Sequence, residues 1–288
     1  MSDRSFAVLL GNCSSSAAPL SRGAPQGSIL GPMLFSLYML PLGSIFKKHN
    51  ISFHCFADDV QIYLPVKNND KNNIQPLLDC LSDLKIWLDQ NFLCLNDKKT
   101  EIVVFGRAGH LSECADALGT LCSHIRPFTR NLGVIFDSAF KFDKQISSVV
   151  KTSFFHLRLL AKVKQYMLRK DFERVIHAFI TSRLDYCNSL YAGLEQSSLR
   201  RLQLVQNAAA RLLTETKKRD HITPVLASLH WLPVCFRIKF KIALIVFKIL
   251  SGLSPSYLTE LLHVYTPVKA LRSSGQMLLD VPRSRLKN

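Results

Sequence analysis

The segment that most constrains the fold is residues 51–64, ISFHCFADDVQIYL. Apolar and polar residues alternate on both sides of a short break, which is the pattern of two half-buried strands. The sequence therefore predicts a β-hairpin with its tip at Ala57-Asp58-Asp59.

The hairpin tip carries two adjacent carboxylates, Asp58 and Asp59, and no obvious cationic partner lies within the hairpin. Two like charges side by side are unfavourable unless a positive charge reaches them, and a divalent metal ion is the natural candidate. A plain turn is the alternative, because Asp is a favoured turn residue. The hairpin alone leaves both interpretations open.

The second informative stretch is residues 24–48, in which apolar residues recur at helical spacing. Ser28 is a candidate N-cap, and Pro32 suits a first helical turn. The tetrapeptide Pro25-Gln26-Gly27-Ser28 then lies where a loop meets this helix. Gly27 has no Cβ, so a ligand could approach its backbone closely, while Gln26 offers a donor and an acceptor. An ordinary turn before a core helix is the alternative.

The rest of the first half alternates between short strands, loops and one helix. A helix is predicted over 74–91 with Asn73 as its cap, strands over 5–10, 102–105 and 131–136, and a loop over 107–130. Lys99 lies on a polar turn before the strand at 102.

From Asp143 onward the apolar pattern is helical. Helices are predicted around 146–160, 172–179, 199–212 (capped by Ser197 or Ser198), 223–230, 234–250 and from 254. Residues 234–250 also fit a strand in part, but their length favours a helix. The chain after 266 is predicted to be a loop that ends in a basic tail.

Charge is distributed unevenly along the 288 residues. Residues 1–143 hold 13 basic and 13 acidic side chains, so the net charge of +16 lies in the second half. This distribution suggests a surface for a polyanion, and amphipathic helices can dock along a phosphate backbone. Solvated helix faces and an anionic membrane surface are the alternatives. The candidate backbone-binding residues are Lys162, Lys164, Arg169, Lys170, Arg200, Arg201, Lys217, Lys218 and Arg219.

The eight cysteines form no C-x-x-C pair, and several lie in apolar runs. We expect reduced core cysteines in an intracellular protein of the nucleus or cytoplasm. The first residues lack a signal-peptide pattern, and lysines interrupt the apolar run at 238–250, so we expect neither secretion nor a membrane partner.

Four motifs in order give the chain a family resemblance. They are GAPQGSILGP at 23–32, FADD at 56–59, LNDKKTE at 95–101 and NLGV at 131–134. Together they resemble the reverse transcriptase of non-LTR retrotransposons of the jockey/LINE type. The segments 182–188, SRLDYCN, and 202–211, LQLVQNAAAR, are similar to the part that follows the polymerase domain in such elements.

The resemblance implies roles for individual residues. Asp58 would be a metal ligand with Asp59 beside it, and two Mg²⁺ ions would serve the transfer chemistry. Pro25, Gln26, Gly27 and Ser28 would lie against the incoming dNTP and the template. Lys99 would protonate the leaving pyrophosphate, and Leu132 and Gly133 would hold the primer end. The partners implied are an RNA template, an RNA–DNA hybrid duplex and dNTP, with no known protein partner.

The sequence also departs from the family pattern. The earlier strand with the first metal-binding aspartate, the fingers and the endonuclease domain are missing, so we expect an N-terminally truncated enzyme. The expected fold class is α+β, with a partial palm at 1–140 (an antiparallel sheet with helices on one face), an all-helical basic thumb-like region at 141–265 and a basic tail at 266–288.

Three hypotheses follow from this resemblance. The chain is a fragment of an RNA-directed DNA polymerase that is expected to be inactive in isolation, or a catalytically inactive nucleic-acid-binding remnant. A third hypothesis is an expressed fragment without function, whose open sheet edge makes it aggregate.

Overall fold

The computed structural model describes residues 4–20, 27–66, 74–106, 118–265 and 278–281. The chain divides into two compact units, residues 1–127 and 128–288. Each unit has its own core and is described separately. Of the predicted site residues, Pro25 and Gln26 lie outside the described residues, as do Asn73 and the basic tail.

The first unit opens with four short strands. β1 (Ser5–Phe6) pairs with β4 (Ala18–Pro19), and β2 (Leu9–Leu10) pairs with β3 (Cys13–Ser14). The predicted single strand over 5–10 is therefore wrong. Both pairs are antiparallel, since the turn at Gly11 sends the chain back along itself.

Three helices and a hairpin follow in the first unit. They are α1 (Gly31–Met39), α2 (Leu42–Lys48), β5 (Ser52–Phe56), β6 (Asp59–Tyr63) and α3 (Gln75–Gln90). Pro32 and Pro76 lie in the first turns of α1 and α3, where the missing N–H of a proline has no cost. The cap of α1 is Leu30, not the predicted Ser28, and it makes no side-chain capping bond.

The core of the first unit forms between one hairpin face and two helices. Phe53, Val60 and Ile62 pack against a buried set from α2, α3 and the residue before β5: Leu42, Phe46, Ile51, Cys80, Leu84 and Leu88. The rings of Phe46 and Phe53 lie 4.7 Å apart between centroids. The period-two pattern thus places the apolar residues of the hairpin on α2 and α3 and leaves its other face open.

The end of the first unit has little regular structure. Short 3₁₀ helices cover Asp97–Lys99 and Gly119–His124, and the predicted strand over 102–105 is reduced to a parallel bridge between Ile102 and Ile125. The helix at Gly119–His124 and a strand from Phe128 replace part of the loop predicted over 107–130.

The second unit begins with a hairpin, β7 (Phe128–Asn131) and β8 (Val134–Asp137). Its helices are α4 (Asp143–Val163), α5 (Arg169–Ile176), α6 (Ser182–Asp185), α7 (Gln196–Thr214), α8 (Thr223–Ser228), α9 (Val234–Leu250) and α10 (Ser256–Thr259). Shorter helical turns cover Lys164–Tyr166, His177–Thr181 and Asn188–Tyr191. The helix preferred for 234–250 is confirmed.

One continuous apolar core joins the elements of the second unit from β8 to α9. Ile146, Ile176, Leu202 and Val205 are fully or almost fully buried in it. Val134 belongs to the same core, so the hairpin β7–β8 packs with the helices. Helices that are each apolar along one stripe bury that stripe against one another, which explains why the sequence pattern located them well.

Polar side chains of α7 fasten this helix to α9. Gln203 accepts a hydrogen bond from the backbone N–H of Val234 at 2.8 Å, and Gln206 donates to the carbonyl of Leu232 at 2.8 Å. The first N–H groups of a helix have no partner within the helix, so Gln203 satisfies one of them. The helix α7 itself begins after Glu195, and the caps predicted at Ser197 or Ser198 are wrong.

The structure confirms a mixture of helices and small antiparallel sheets. Within the described residues the strands form four separate two-stranded sheets, whereas one palm-type sheet was expected. The strand predicted over 131–136 is a hairpin with Leu132 and Gly133 in its turn, and it precedes residue 141, where the all-helical region was expected to begin. In the part of the chain described here, no helix is long and apolar enough to cross a bilayer.

Candidate active site

The two acidic residues lie at the tip of the hairpin β5–β6, as the sequence predicted. Phe56 pairs with Asp59, and Ala57 and Asp58 form the two-residue turn between them. Ala57 has a φ of 55°, a left-handed conformation that costs a residue with a Cβ about 1 kcal/mol. The tight turn therefore fixes two carboxylates next to each other at the end of a packed hairpin.

Both carboxylates are exposed, and the described residues supply neither with an ion-pair partner. The register places Asp59 on the hairpin face of Phe56, His54 and Gln61, opposite the face that packs on the core. On this open face His54 stacks on Tyr63 with 5.5 Å between ring centroids. An approaching cation would therefore meet uncompensated negative charge beside an uncovered strand surface.

The junction before α1 is open to solvent. Gly27 is exposed and has a φ of +87°, and a methyl group added to it would meet no atom within 4 Å. The positive φ explains why glycine suits this position, and the open space leaves its backbone accessible. Ser28 is partly buried, and its carbonyl accepts a 3.3 Å hydrogen bond from Gly31.

Lys99 ends the short helix Asp97–Lys99 and is exposed. Its backbone N–H donates to the side chain of Asn96 at 3.3 Å. This bond fixes the backbone of the turn, while the ammonium group lies in solvent. Beside it an open groove of about 300 Å³ is lined by Lys98, His124 and Arg126 together with Asp97, Thr100, Glu101 and Ser123. The groove thus places two cations, Lys98 and Arg126, and two carboxylates, Asp97 and Glu101, beside the segment that carries Lys99.

Leu132 and Gly133 form the turn of the second hairpin and belong to the second unit. Their φ values of 44° and 85° are both positive, as a two-residue hairpin turn of this hand requires. The Tyr186 hydroxyl donates to the carbonyl of Leu132 at 2.5 Å, and its ring would lie 3.6 Å from a methyl group added to Gly133. Tyr186 therefore holds the turn against the end of α6.

Sequence reasoning did not assign Tyr186 a role. The signal available was the segment SRLDYCN, which contains Tyr186 and resembles the family. The same segment contains Asp185, which receives hydrogen bonds from Arg237 through two guanidinium nitrogens. One short segment thus ties both the second hairpin and α9 to α6.

The predicted backbone-binding cations fall at the two ends of a pair of parallel helices. Arg201 donates to Ser147 at 2.7 Å near the starts of α7 and α4. Lys164 contacts the Leu212 carbonyl and Glu215 at 2.8 Å just past their ends. At 1.5 Å per residue these two groups are about 25 Å apart. Exposed members at the far end are Lys162, Arg169, Lys170, Lys217, Lys218 and Arg219; Arg200 is exposed at the near end.

Metal-binding potential rests on the hairpin acids. Across the described ranges, no group of three or more His, Cys, Asp or Glu side chains lies close enough to hold an ion. Mg²⁺ prefers oxygen ligands and is commonly held by one or two carboxylates together with substrate phosphates. Asp58 and Asp59 therefore fit an ion that arrives with a nucleotide better than a closed protein cage.

Comparison with known proteins agrees with the motif order. Residues 4–136 match the family described as reverse transcriptase (RNA-dependent DNA polymerase). The chain is 23% identical over 225 residues, 73% of its length, to the RNA-directed DNA polymerase from mobile element jockey of Drosophila funebris. It is 23% identical over 75% of its length to the probable RNA-directed DNA polymerase from transposon BS of Drosophila melanogaster.

The matched relatives are much longer than this chain, which covers 24% of the first relative and 25% of the transposon BS protein. No solved structure matches the chain. Residues 4–136 therefore match the reverse transcriptase family, and the chain is similar over most of its length to RNA-directed DNA polymerases of mobile elements.

Proposed function

We propose that this chain carries the catalytic hairpin and a nucleic-acid-holding helical part of an RNA-directed DNA polymerase of a non-LTR element. The reaction extends a primer 3′-hydroxyl with dNTPs on an RNA template. The observation that carries the proposal is the exposed pair Asp58-Asp59 at the tip of a core-packed hairpin, inside the region that matches the family.

The side chains of the first unit have distinct roles in this proposal. Asp58 and Asp59 hold Mg²⁺, which when bound lowers the cost of charge developing on the phosphates. Gly27 and Ser28, with Pro25 and Gln26, form the surface for the dNTP and template. Lys99 gives a proton to the leaving pyrophosphate, and the cations of the adjacent groove support the same negative charge.

The second unit has a holding role in this proposal. Leu132 and Gly133 position the primer end, and the exposed cations of the helices contact the phosphate backbone of the hybrid duplex. The proposed palm portion, residues 1–140, thus includes a hairpin that packs on the helical core of the thumb-like portion, residues 141–265.

Primer extension on an RNA template with Mg²⁺ tests the proposal. Incorporation of dNTPs by the unchanged chain is expected to be very weak at most in isolation, and Asp58→Ala should abolish it because a metal-binding carboxylate is lost. Asp89→Ala removes an exposed carboxylate of α3 instead and should leave incorporation unchanged. Absence of incorporation by the unchanged chain would refute polymerase activity for this chain.

A second candidate function is nucleic-acid binding without catalysis. It is favoured by the independent core of the basic second unit. It predicts binding to an RNA–DNA hybrid that weakens steeply as salt rises, because each phosphate contact releases counterions. Affinity that is equal at low and high salt would exclude this candidate.

A further inference from the structure

The helix α9 exposes an aromatic stripe that the proposed function does not use. Phe236, Phe240 and Phe247 are 52%, 58% and 61% exposed. At 100° per residue these three positions fall within about 40° of one another around the helix axis. Phe236, Phe240 and Phe247 form a single line on its solvent side, the phenylalanine stripe.

The exposure of the stripe does not come from a poorly docked helix. Val234, Ile238 and Ile249 on the opposite side of α9 are buried. The side chain of Gln203 binds the first N–H of α9, and Arg237 binds Asp185. The helix is therefore fixed by its aliphatic side, and it is the aromatic residues that face solvent.

Cations flank the phenylalanine stripe on both sides. Lys239 lies on one side, with its Nζ 5.6 Å from the centroid of the Phe236 ring, and the exposed Lys248 lies on the other, whereas Lys241 is partly buried nearer the packed side. These three lysines have no ion-pair partner among the described residues, and α9 contains no acidic residue. The surface thus offers flat aromatic faces between positive charges.

This combination fits unpaired bases on a phosphate backbone. Aromatic side chains stack on any exposed base, while flanking cations bind the phosphates without reading sequence. A duplex keeps its bases stacked on each other and presents mainly phosphates and groove edges, so it would use the lysines but not the phenyl faces. The occupant that uses both features is single-stranded.

We propose that the phenylalanine stripe with Lys239 and Lys248 binds single-stranded RNA. The proposal rests on the proposed function for the kind of partner, and it assigns the single-stranded part of the template to α9. It adds a site separate from the carboxylate hairpin and from the cations proposed to contact the duplex.

The test measures affinity of the full chain for two probes by fluorescence anisotropy. One probe is a labelled, unstructured oligouridylate, and the other is a labelled RNA–DNA hybrid of equal length. The double variant Phe240→Ala/Phe247→Ala should bind the oligouridylate about tenfold or more weakly, since stacking on one aromatic is worth about that factor. Its affinity for the hybrid should change by less than about twofold.

Two further variants sharpen the test. Phe240→Trp keeps an aromatic face and should retain binding to the oligouridylate. Phe155→Ala removes a similarly exposed phenylalanine, 50% exposed on α4, and should have no effect. Circular dichroism verifies that each variant is folded. We expect all of them to fold, because the substituted side chains are exposed on packed helices.

Several outcomes would overturn the proposal. Unchanged oligouridylate binding in the double variant would do so, as would an equal loss in Phe155→Ala. Binding of the unchanged chain to phosphatidylserine vesicles that the double variant loses, without a loss of RNA binding, would assign the stripe to lipid. Loss of self-association alone would assign it to a second copy. A failure of hybrid binding or primer extension with stripe-dependent RNA binding intact would refute the proposed function but not this site.

Discussion

The two units of this chain differ in how completely they bury their apolar residues. The second unit joins β8 and most of its helices around one continuous core. The first unit has two small clusters, and its helix α1 contains no buried residue. The carboxylate pair and Gly27 thus lie in the unit with the smaller cores, whereas the cations lie mainly on the other.

Most of the buried apolar core therefore lies in the second unit, whereas the residues proposed to carry the chemistry lie in the first. Buried apolar area is the main favourable term in folding, so the second unit should be the more stable one. Met33 and Leu37 on α1, and Ile29 just before it, are at least 60% exposed. An isolated first unit would accordingly have little reserve against destabilising substitutions.

The largest expected effect comes from substitutions in the two cores. Leu202 is fully buried in the second unit, and Leu42 is 1% exposed in the first. Each change to Ala should cost about 3 kcal/mol of unfolding free energy, but only in its own unit. The chain has one tryptophan in each unit, Trp87 and Trp231. A variant that keeps only one of them therefore reports the urea unfolding of the unit in which that tryptophan lies.

We expect Leu202→Ala to lower the urea midpoint reported by Trp231 and to leave that of Trp87 in place. Leu42→Ala should do the reverse. The conservative change Leu202→Met, which keeps the volume, is the matched control and should cost less than about 1.5 kcal/mol. Equal shifts at both tryptophans would show that the two units unfold together.

The elements that could be predicted from sequence are those with a local pattern. The hairpin β5–β6 follows strict alternation over two strands, and the helices of the second unit follow apolar stripes. The carboxylate pair was found for the same reason, because the break in alternation exposes Asp58 and Asp59. These features need no information about the rest of the chain.

The features that sequence reasoning missed depend on contacts between distant residues or on unusual backbone angles. Leu132 has a positive φ, which is uncommon for a leucine and is not predicted by the sequence. The apolar pattern of the segment therefore predicts one strand instead of a hairpin. The partner of that turn, Tyr186, is remote in sequence. In α9, Phe236 and Phe240 belong to the alternation that suits a strand and not to the apolar stripe that indicates the helix, so the sequence pattern does not identify their shared helical face.

An intermediate effect is expected at the bond that holds the second hairpin. Tyr186→Phe keeps the ring against Gly133 and removes the hydroxyl that donates to the Leu132 carbonyl. We expect a loss of about 1 kcal/mol in the unfolding free energy reported by Trp231, and faster amide hydrogen exchange at the hairpin turn. Tyr257→Phe, a change at an exposed tyrosine of α10, is the control.

A Tyr186→Phe chain with unchanged exchange at residues 131–134 would show that packing of the ring alone fixes the turn. Because the hairpin belongs to the second unit, Trp87 should report no change for this variant.

The smallest expected effect is the acid sensitivity of one ion pair in each unit. In the first unit, hydrogen bonds from Lys48 and His49 lower the pKa of Asp83 below its ordinary value of 3.8. In the second, the hydrogen bond from Lys164 lowers the pKa of Glu215 below 4.5. A carboxylate with a lowered pKa stabilises the folded state above its unfolded pKa and loses that contribution as the pH falls through its folded pKa.

Stability should therefore decline in both units as the pH falls below the ordinary carboxyl pKa values of 4.5 for Glu215 and 3.8 for Asp83, so Glu215 contributes from a slightly higher pH. Asp83→Asn should flatten this decline for the midpoint reported by Trp87 and leave that of Trp231 unchanged. Glu215→Gln should have the opposite selectivity. Since both pairs are solvent-accessible, added salt should weaken both effects. A decline that is insensitive to either substitution would show that other carboxylates govern the acid limit of both units.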